Sequence, residues 1–136
     1  MSKFFKVNVS SVVFNGENVL VQKRAQNEEI FPGLWGIPGG TVEMTDSSLE
    51  EALEREVLEE VGVKIKNHRL IKNNIKEREL FGMLYIVFTS EYDTGDLAAM
   101  DETEKVEWMS LEKIQDMEFT PTTKETILFA HGRRIA

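Results

Sequence analysis

Residues 48–62 read Ser-Leu-Glu-Glu-Ala-Leu-Glu-Arg-Glu-Val-Leu-Glu-Glu-Val-Gly. Leu49, Leu53, Val57 and Val61 recur every four residues, the spacing of an amphipathic helix with one buried stripe. Ser47 or Ser48 supplies an N-cap, Glu50 or Glu51 follows three residues on, and Gly62 ends the run. The predicted helix therefore spans about residues 48 to 61. Glu56, Glu59 and Glu60 fall at i, i+3 and i+4 along the edge of the stripe, so their carboxylates share a narrow arc. Like charges so placed repel by roughly 0.2–0.5 kcal/mol a pair. Folding alone has no use for that cluster, whereas a hard divalent cation wants several oxygens converging from a rigid element. The alternative is a solvated charge-rich face, because Glu is a good helix former and Glu50, Glu51 and Glu54 add to it.

Upstream, Trp35-Gly36-Ile37-Pro38-Gly39-Gly40 is short and stiff and ends in two glycines. A turn would explain the pair, and so would backbone that approaches a ligand too closely for a Cβ. Val7, Val9, Val12 and Phe14 predict a strand, and Asn15-Gly16 a tight hairpin into a return strand over residues 19–24. Residues 25–34 read as a loop. Beyond the helix, Val63, Ile65, Leu70 and Ile71 predict a strand with a polar interruption, and residues 73–79 a loop or twisted hairpin. Residues 80–89 are strand-like, 92–104 an acidic connection, and 106–108 a short strand. Ser110 caps a short helix reaching Ile114, Pro121 opens a final helix through Phe129, and residues 131–136 form a tail. Together these predict a single α/β domain over residues 1–136, with a helix on each face of a mixed sheet.

A chain of 136 residues with 41% apolar and 29% charged residues fits one soluble globular domain. The absence of cysteine excludes disulfides, thiolate metal sites and cysteine nucleophiles. The opening MSKFFKVNVSSVVF carries no processing pattern and no apolar run reaches membrane-spanning length, so a cytoplasmic protein without a membrane partner is expected. A formal charge of −8 argues against duplex nucleic acid as a partner. It does not exclude a phosphorylated small ligand, because a bound metal inverts the local sign of an acidic site.

Gly40 to Val63 resembles the signature of the Nudix hydrolases: Gly, five residues, Glu, seven residues, Arg-Glu-aliphatic, one residue, Glu-Glu, one residue, Gly-aliphatic. Arg55, Glu56, Val57, Glu59, Glu60, Gly62 and Val63 complete the second half, and Leu34 to Gly40 match the usual approach to it. In the first half the glutamate position falls on Asp46, and eight residues instead of seven separate it from Arg55. The extra residue fits in the turn at Thr45–Ser48, leaving Asp46 or Ser47 in place of the glutamate. The resemblance extends over most of the chain and implies the family's α/β/α sandwich with a mixed β-sheet.

The same resemblance implies a hydrolase in which water attacks a phosphorus of a nucleoside diphosphate linked to another moiety, with Mg2+ or Mn2+ as cofactor. Carried over residue by residue, Glu59 and Glu60 are metal ligands and Glu56 is a ligand or the general base. The Gly39 carbonyl helps to coordinate metal, and Arg55 orients Glu56 or an adjacent carboxylate. A further acid is expected from the loop before the last short strand. Glu102 is preferred there to Glu104, because the stretch ending Glu107-Trp108-Met109-Ser110-Leu111 resembles that of the triphosphate-cleaving branch. The number of metal ions is left open.

For substrate binding, Lys23 and Arg24 end the second strand and meet a phosphate or simply face solvent, while Gly39 and Gly40 bring backbone close to the ligand. Phe31, Trp35, Phe81, Tyr85 and Phe119 offer flat faces to a base, although aromatics at strand positions are more often core. Thr123 stands where the oxidised-guanine-nucleotide branch carries a base-reading asparagine, with a hydroxyl in place of a two-sided amide. That weakens a sanitising role. His68 has no clustered partner in the sequence, and His131 reads as surface. The expected partner is a small-molecule nucleotide. Chain length and the spacing from Glu102 to Trp108 favour nucleoside triphosphates, with ADP-ribose or a nucleotide sugar as the alternative. A catalytically silent nucleotide-binding regulatory domain and an acidic protein-binding surface are the competing classes. The protein is expected to be a monomer or homodimer.

Overall fold

A computed structural model describes residues 4–100 and 103–135. Among the described residues, strand β1 (Phe5–Asn15) lies at the centre of a seven-stranded mixed sheet. On one side it pairs antiparallel with β2 (Asn18–Arg24), and on the other parallel with β6 (Gly82–Thr94). The hairpin turn leaves Asn15 paired with Asn18, and Gly16 takes the left-handed conformation at φ 61°. Gly16 is thus the first central residue of the two-residue loop, and Asn15 stays in the strand instead of sharing the turn. Short strands β3 (Trp35–Gly36) and β4 (Gly39–Thr41) pair with β2 and β1 respectively. Strand β5 (Lys64–Glu77) borders β6 and β7 (Thr103–Ser110) borders β2, both antiparallel.

Alternation along β1 and β2 builds two cores. Val9, Val13 and Leu20 face helix α1 (Leu49–Val61), meeting Ala52, Leu53, Val57 and Val61. Val12, Phe14, Val19 and Val21 face the opposite layer, where α2 (Leu111–Asp116) contributes Ile114 and α3 (Thr123–Ile135) contributes Ile127 and Ala130. The α/β/α sandwich with a mixed sheet is therefore present as expected. Full burial stabilises each of Leu53, Val57 and Val61 by about 1.5–3 kcal/mol. That sum outweighs the few tenths per pair lost to repulsion among the acids on the neighbouring face. Packing thus lets α1 carry charges that an isolated helix would tolerate poorly.

The ends of α1 follow the sequence closely. The Ser48 hydroxyl accepts from the Glu51 N–H at 3.0 Å, and Gly62 at φ 80° donates to the Leu58 carbonyl at 3.1 Å. Elsewhere the chain differs. Of the two readings for residues 73–79 the hairpin holds and the loop does not: β5 runs unbroken for 14 residues to Glu77 and turns back into β6, taking up its polar interruption in register shifts around Lys66–Arg69 and Leu70–Lys72. Hydrogen bonding to β6 holds these polar residues extended, which local propensity does not reveal. The last helix starts at Thr123, two residues after Pro121, and continues to Ile135 instead of stopping at Phe129. Ala130 is fully buried, and Arg134 lies over the Phe14 ring at 4.2 Å, so packing on β1 extends it. No helix among the described residues is long and apolar enough to cross a membrane.

Candidate active site

One edge of α1, the end of β2 and the start of β4 enclose a cleft of about 460 Å³. Gln22, Lys23, Arg24, Gly39, Glu56 and Glu60 all line it. Glu60 accepts from the Gly39 N–H at 3.0 Å and from Gln22 Nε2 at 2.9 Å, so each of its oxygens is fixed by an amide. Burial outweighs those donors and pushes its carboxyl up to about 7. Glu56 is raised as well, chiefly by burial, despite the Arg55 guanidinium 3.0 Å away. Gln22 Oε1 is buried with no hydrogen-bond partner.

Arg55 organises the rim. Its Nε and Nη2 grip the Asp46 carboxylate as a fork at 2.9 and 2.8 Å, Nη2 also reaches the Thr41 carbonyl, and Nη1 meets Glu56 and Glu59. The Asp46 side chain is 2% exposed and also accepts from the Glu43 N–H, and these donors hold its carboxyl down to about 2. Ser47 donates to Glu51 within the cap. Asp46 therefore occupies the arginine-gripping position, and Ser47 belongs to the helix start.

The three glutamates do not converge as the helical spacing suggested. Glu56 and Glu60 share the cleft, but the Glu59 side chain is 54% exposed and turned to Arg55. Among the described residues, no three His, Cys, Asp or Glu side chains are arranged to hold a metal ion. The donor set nonetheless fits a hard divalent cation. It is all oxygen, it holds two carboxyls that burial makes reluctant to ionise unaided, and it includes the orphaned Gln22 oxygen. Gln22 was not among the residues expected here. Its signal was available, since a polar residue shares the inward face of β2 with buried Leu20.

The paired glycines have internal reasons for lacking side chains. A Cβ on Gly39 would press on the β1 backbone at Val9 and Ser10, and one on Gly40 would fall on the Glu56 carboxylate. Gly40 makes room for Glu56, and this packing by itself accounts for its lack of a side chain. Because Glu56 can swing away while backbone cannot, Gly40→Ala is expected to keep the melting temperature within a few degrees yet lower kcat by about 10²-fold. Gly39→Ala should instead lower the melting temperature markedly. Thermal scans beside steady-state kinetics check both, and equal loss of stability in the two variants would refute the distinction.

Lys23 pairs with Glu104 at 3.2 Å at the cleft wall. Arg24 reaches the Ile30 carbonyl at 2.8 Å and Glu28 at 3.5 Å, tying down the loop at residues 25–34. Glu102 lies outside the described residues, next to Thr103, which lines the cleft. Trp35 is 5% exposed in the core beneath α3, so it offers no face to a ligand; its place in β3 buries it. Phe31 is exposed at φ 49° and, with Thr123, lines a second cavity of about 470 Å³ over the sheet. Gln22 and Arg24 line both cavities, which adjoin there as a two-part recess. The Thr123 hydroxyl lies 2.5 Å from that of Thr120, so part of its hydrogen-bonding capacity is spent internally. His68 is not isolated: its Nδ1 meets Ser90, whose hydroxyl meets Ser11, and its Nε2 meets Glu54. Bulges in β5 bring these distant positions together.

Comparison with known proteins agrees with this geometry. Nucleoside triphosphatase NudI of Salmonella agona is 28% identical, the alignment covering 88% of this chain and 92% of that protein. NudI of Klebsiella pneumoniae is 25% identical with the same coverage. The crystal structure of MutT protein from Methanosarcina mazei Go1 superimposes with a TM-score of 0.72 at 29% identity, covering 99% of this chain and 97% of that one. The NUDIX domain family model matches residues 4–128. With the Arg55–Glu60 helix, the glycine corner and the sandwich fold all in place, the chain belongs to the Nudix hydrolase family.

Proposed function

We propose that this protein hydrolyses nucleoside triphosphates to a nucleoside monophosphate and pyrophosphate, acting in the cytoplasm with magnesium or manganese. The observation that carries this reading is the pairing of Glu56 and Glu60 with Lys23 and Arg24 around one cleft. Acids there suit a divalent cation, and the bases suit phosphate oxygens. The names of the NudI relatives support a triphosphate as substrate. A bound cation would neutralise phosphate charge and lower the pKa of its water.

The chain's own groups supply the rest. Glu60, locked by Gly39 and Gln22, presents oxygens in a fixed orientation, and Gln22 Oε1 and the Gly39 carbonyl extend the oxygen set. Rotation of the exposed Glu59 side chain away from Arg55 would add a third carboxylate. Glu56, with one oxygen held by Arg55, takes the proton as a water–phosphorus bond forms and an anhydride P–O bond breaks. Lys23 and Arg24 hold the phosphates, and the adjoining cavity receives the nucleoside, with Phe31 against the base and Thr123 at its edge. Glu102, which lies outside the described residues, is the further acid that the family resemblance implies.

A panel of nucleoside triphosphates, ADP-ribose and dinucleoside polyphosphates, assayed with magnesium or manganese, tests the reading. Monophosphate plus pyrophosphate is the expected product pair. Monophosphate plus a sugar phosphate would move the assignment to nucleotide sugars, and no turnover of any compound would overturn it.

A further inference from the structure

The cavity over the sheet is chemically unlike the cleft it joins. Arg24, Lys72, Lys76 and Arg78 line it, and among the described residues no carboxylate does. That separation of sign stands out in a chain carrying 24 acidic and 16 basic residues. Lys72, Lys76 and Arg78 sit at every second or fourth position along β5 and its continuation, so they project from one face, with Asn74 between them. β5 brings them opposite Val87, Met83 and the Tyr85 neighbourhood of β6. Arg78 is also positioned: its Nη2 donates to the Tyr85 hydroxyl at 2.9 Å, which leaves its other donors aimed elsewhere. A neutral base and sugar do not require this many cations, and the phosphates at the cleaved anhydride are already served by Lys23, Arg24 and the cation-binding acids.

We infer that the recess takes a nucleotide with a second anionic group, such as a ribose phosphate, distant from the cleaved anhydride and held by Lys72, Lys76 and Arg78. This rests on the proposed placement of the nucleoside in the sheet-side cavity. The scissile end lies in the acidic cleft and the additional anion at the basic end, so one ligand spans both. Lysines along an edge strand also discourage strand-to-strand association. That role would not depend on which ligand is bound, and it gives the comparison its opposing outcome.

The test compares matched product analogues with magnesium present: adenosine and uridine 5′-monophosphates against their 3′,5′- and 2′,5′-bisphosphates, with affinities measured by calorimetry. At least one bisphosphate should bind about tenfold tighter than its monophosphate, the gain expected of charge-assisted hydrogen bonds to partly exposed cations. In Lys72→Gln, Lys76→Gln and Arg78→Gln that ratio should fall severalfold, while Lys66→Gln, on the same strand but paired with Asp93, should preserve it. Equal affinity of mono- and bisphosphates, or measurable binding of neither, overturns the inference. A gain that survives all three cavity variants also overturns it. Turnover of triphosphates without any bisphosphate gain removes this inference alone, whereas a gain without turnover of the substrate panel removes the catalytic reading alone.

Discussion

Glu56→Gln is expected to lower kcat by roughly 10²–10⁴-fold with little change in melting temperature. The amide is nearly the same size, so it still fits the space left by Gly40 and still accepts from Arg55 Nη1. It cannot take a proton from water or bring negative charge to a cation. Steady-state kinetics across a magnesium titration separate the two roles assigned to Glu56. Loss confined to kcat at unchanged metal dependence identifies the proton acceptor, whereas activity restored by higher metal concentration identifies a ligand. Activity within a fewfold of wild type would remove Glu56 from the reaction altogether.

The second large effect concerns stability. Glu60 has a folded pKa of about 7 against an ordinary 4.5, so the folded protein binds this proton more tightly than the unfolded chain does. Below pH 4.5 the group is protonated in both states and contributes nothing. As pH rises from 4.5 through 7 the folded state must ionise a buried carboxyl, and above 7 the full cost of about 3 kcal/mol is present. Metal-free Glu60→Gln should therefore melt about 5–10 °C above the wild type at pH 8, with the difference closing by about pH 5. The amide oxygen keeps an acceptor for the Gly39 N–H, and its NH2 donates to Gln22 Oε1 once the Gln22 amide turns over, so the substitution breaks little else. Added magnesium should raise the melting temperature of the wild type and leave the variant nearly unmoved. Parallel melting curves for the two proteins across this pH range would contradict the account. Asp46 acts in the opposite sense: its depressed pKa contributes stability above about 4, lost as pH falls toward 2.

The two halves of this site were unequally visible before the fold was known. Helix α1 announced itself because its cap, its stripe and its stop are local properties spaced a few residues apart. The same locality made Arg55, Glu56, Glu59 and Glu60 legible as a group, and the glycine corner legible as a close approach. It could not say what approached, and the occupant proved to be Glu56 itself at Gly40 and the β1 backbone at Gly39. Trp35 looked available because aromatics suit both cores and ligands, and only its neighbours under α3 decide between them.

The sequence by itself determined the acidic helix, the hairpin, the α/β class and the family resemblance, all of which rest on periodicity or on contiguous motif spacing. Only the tertiary structure decided that Glu59 turns to Arg55 while Glu60 is locked by Gln22 and Gly39. Only it carried β5 through residues 73–77 and so placed Lys72 and Lys76 over the recess. Those outcomes depend on burial and on hydrogen bonds between segments tens of residues apart, and no local pattern of side chains encodes them.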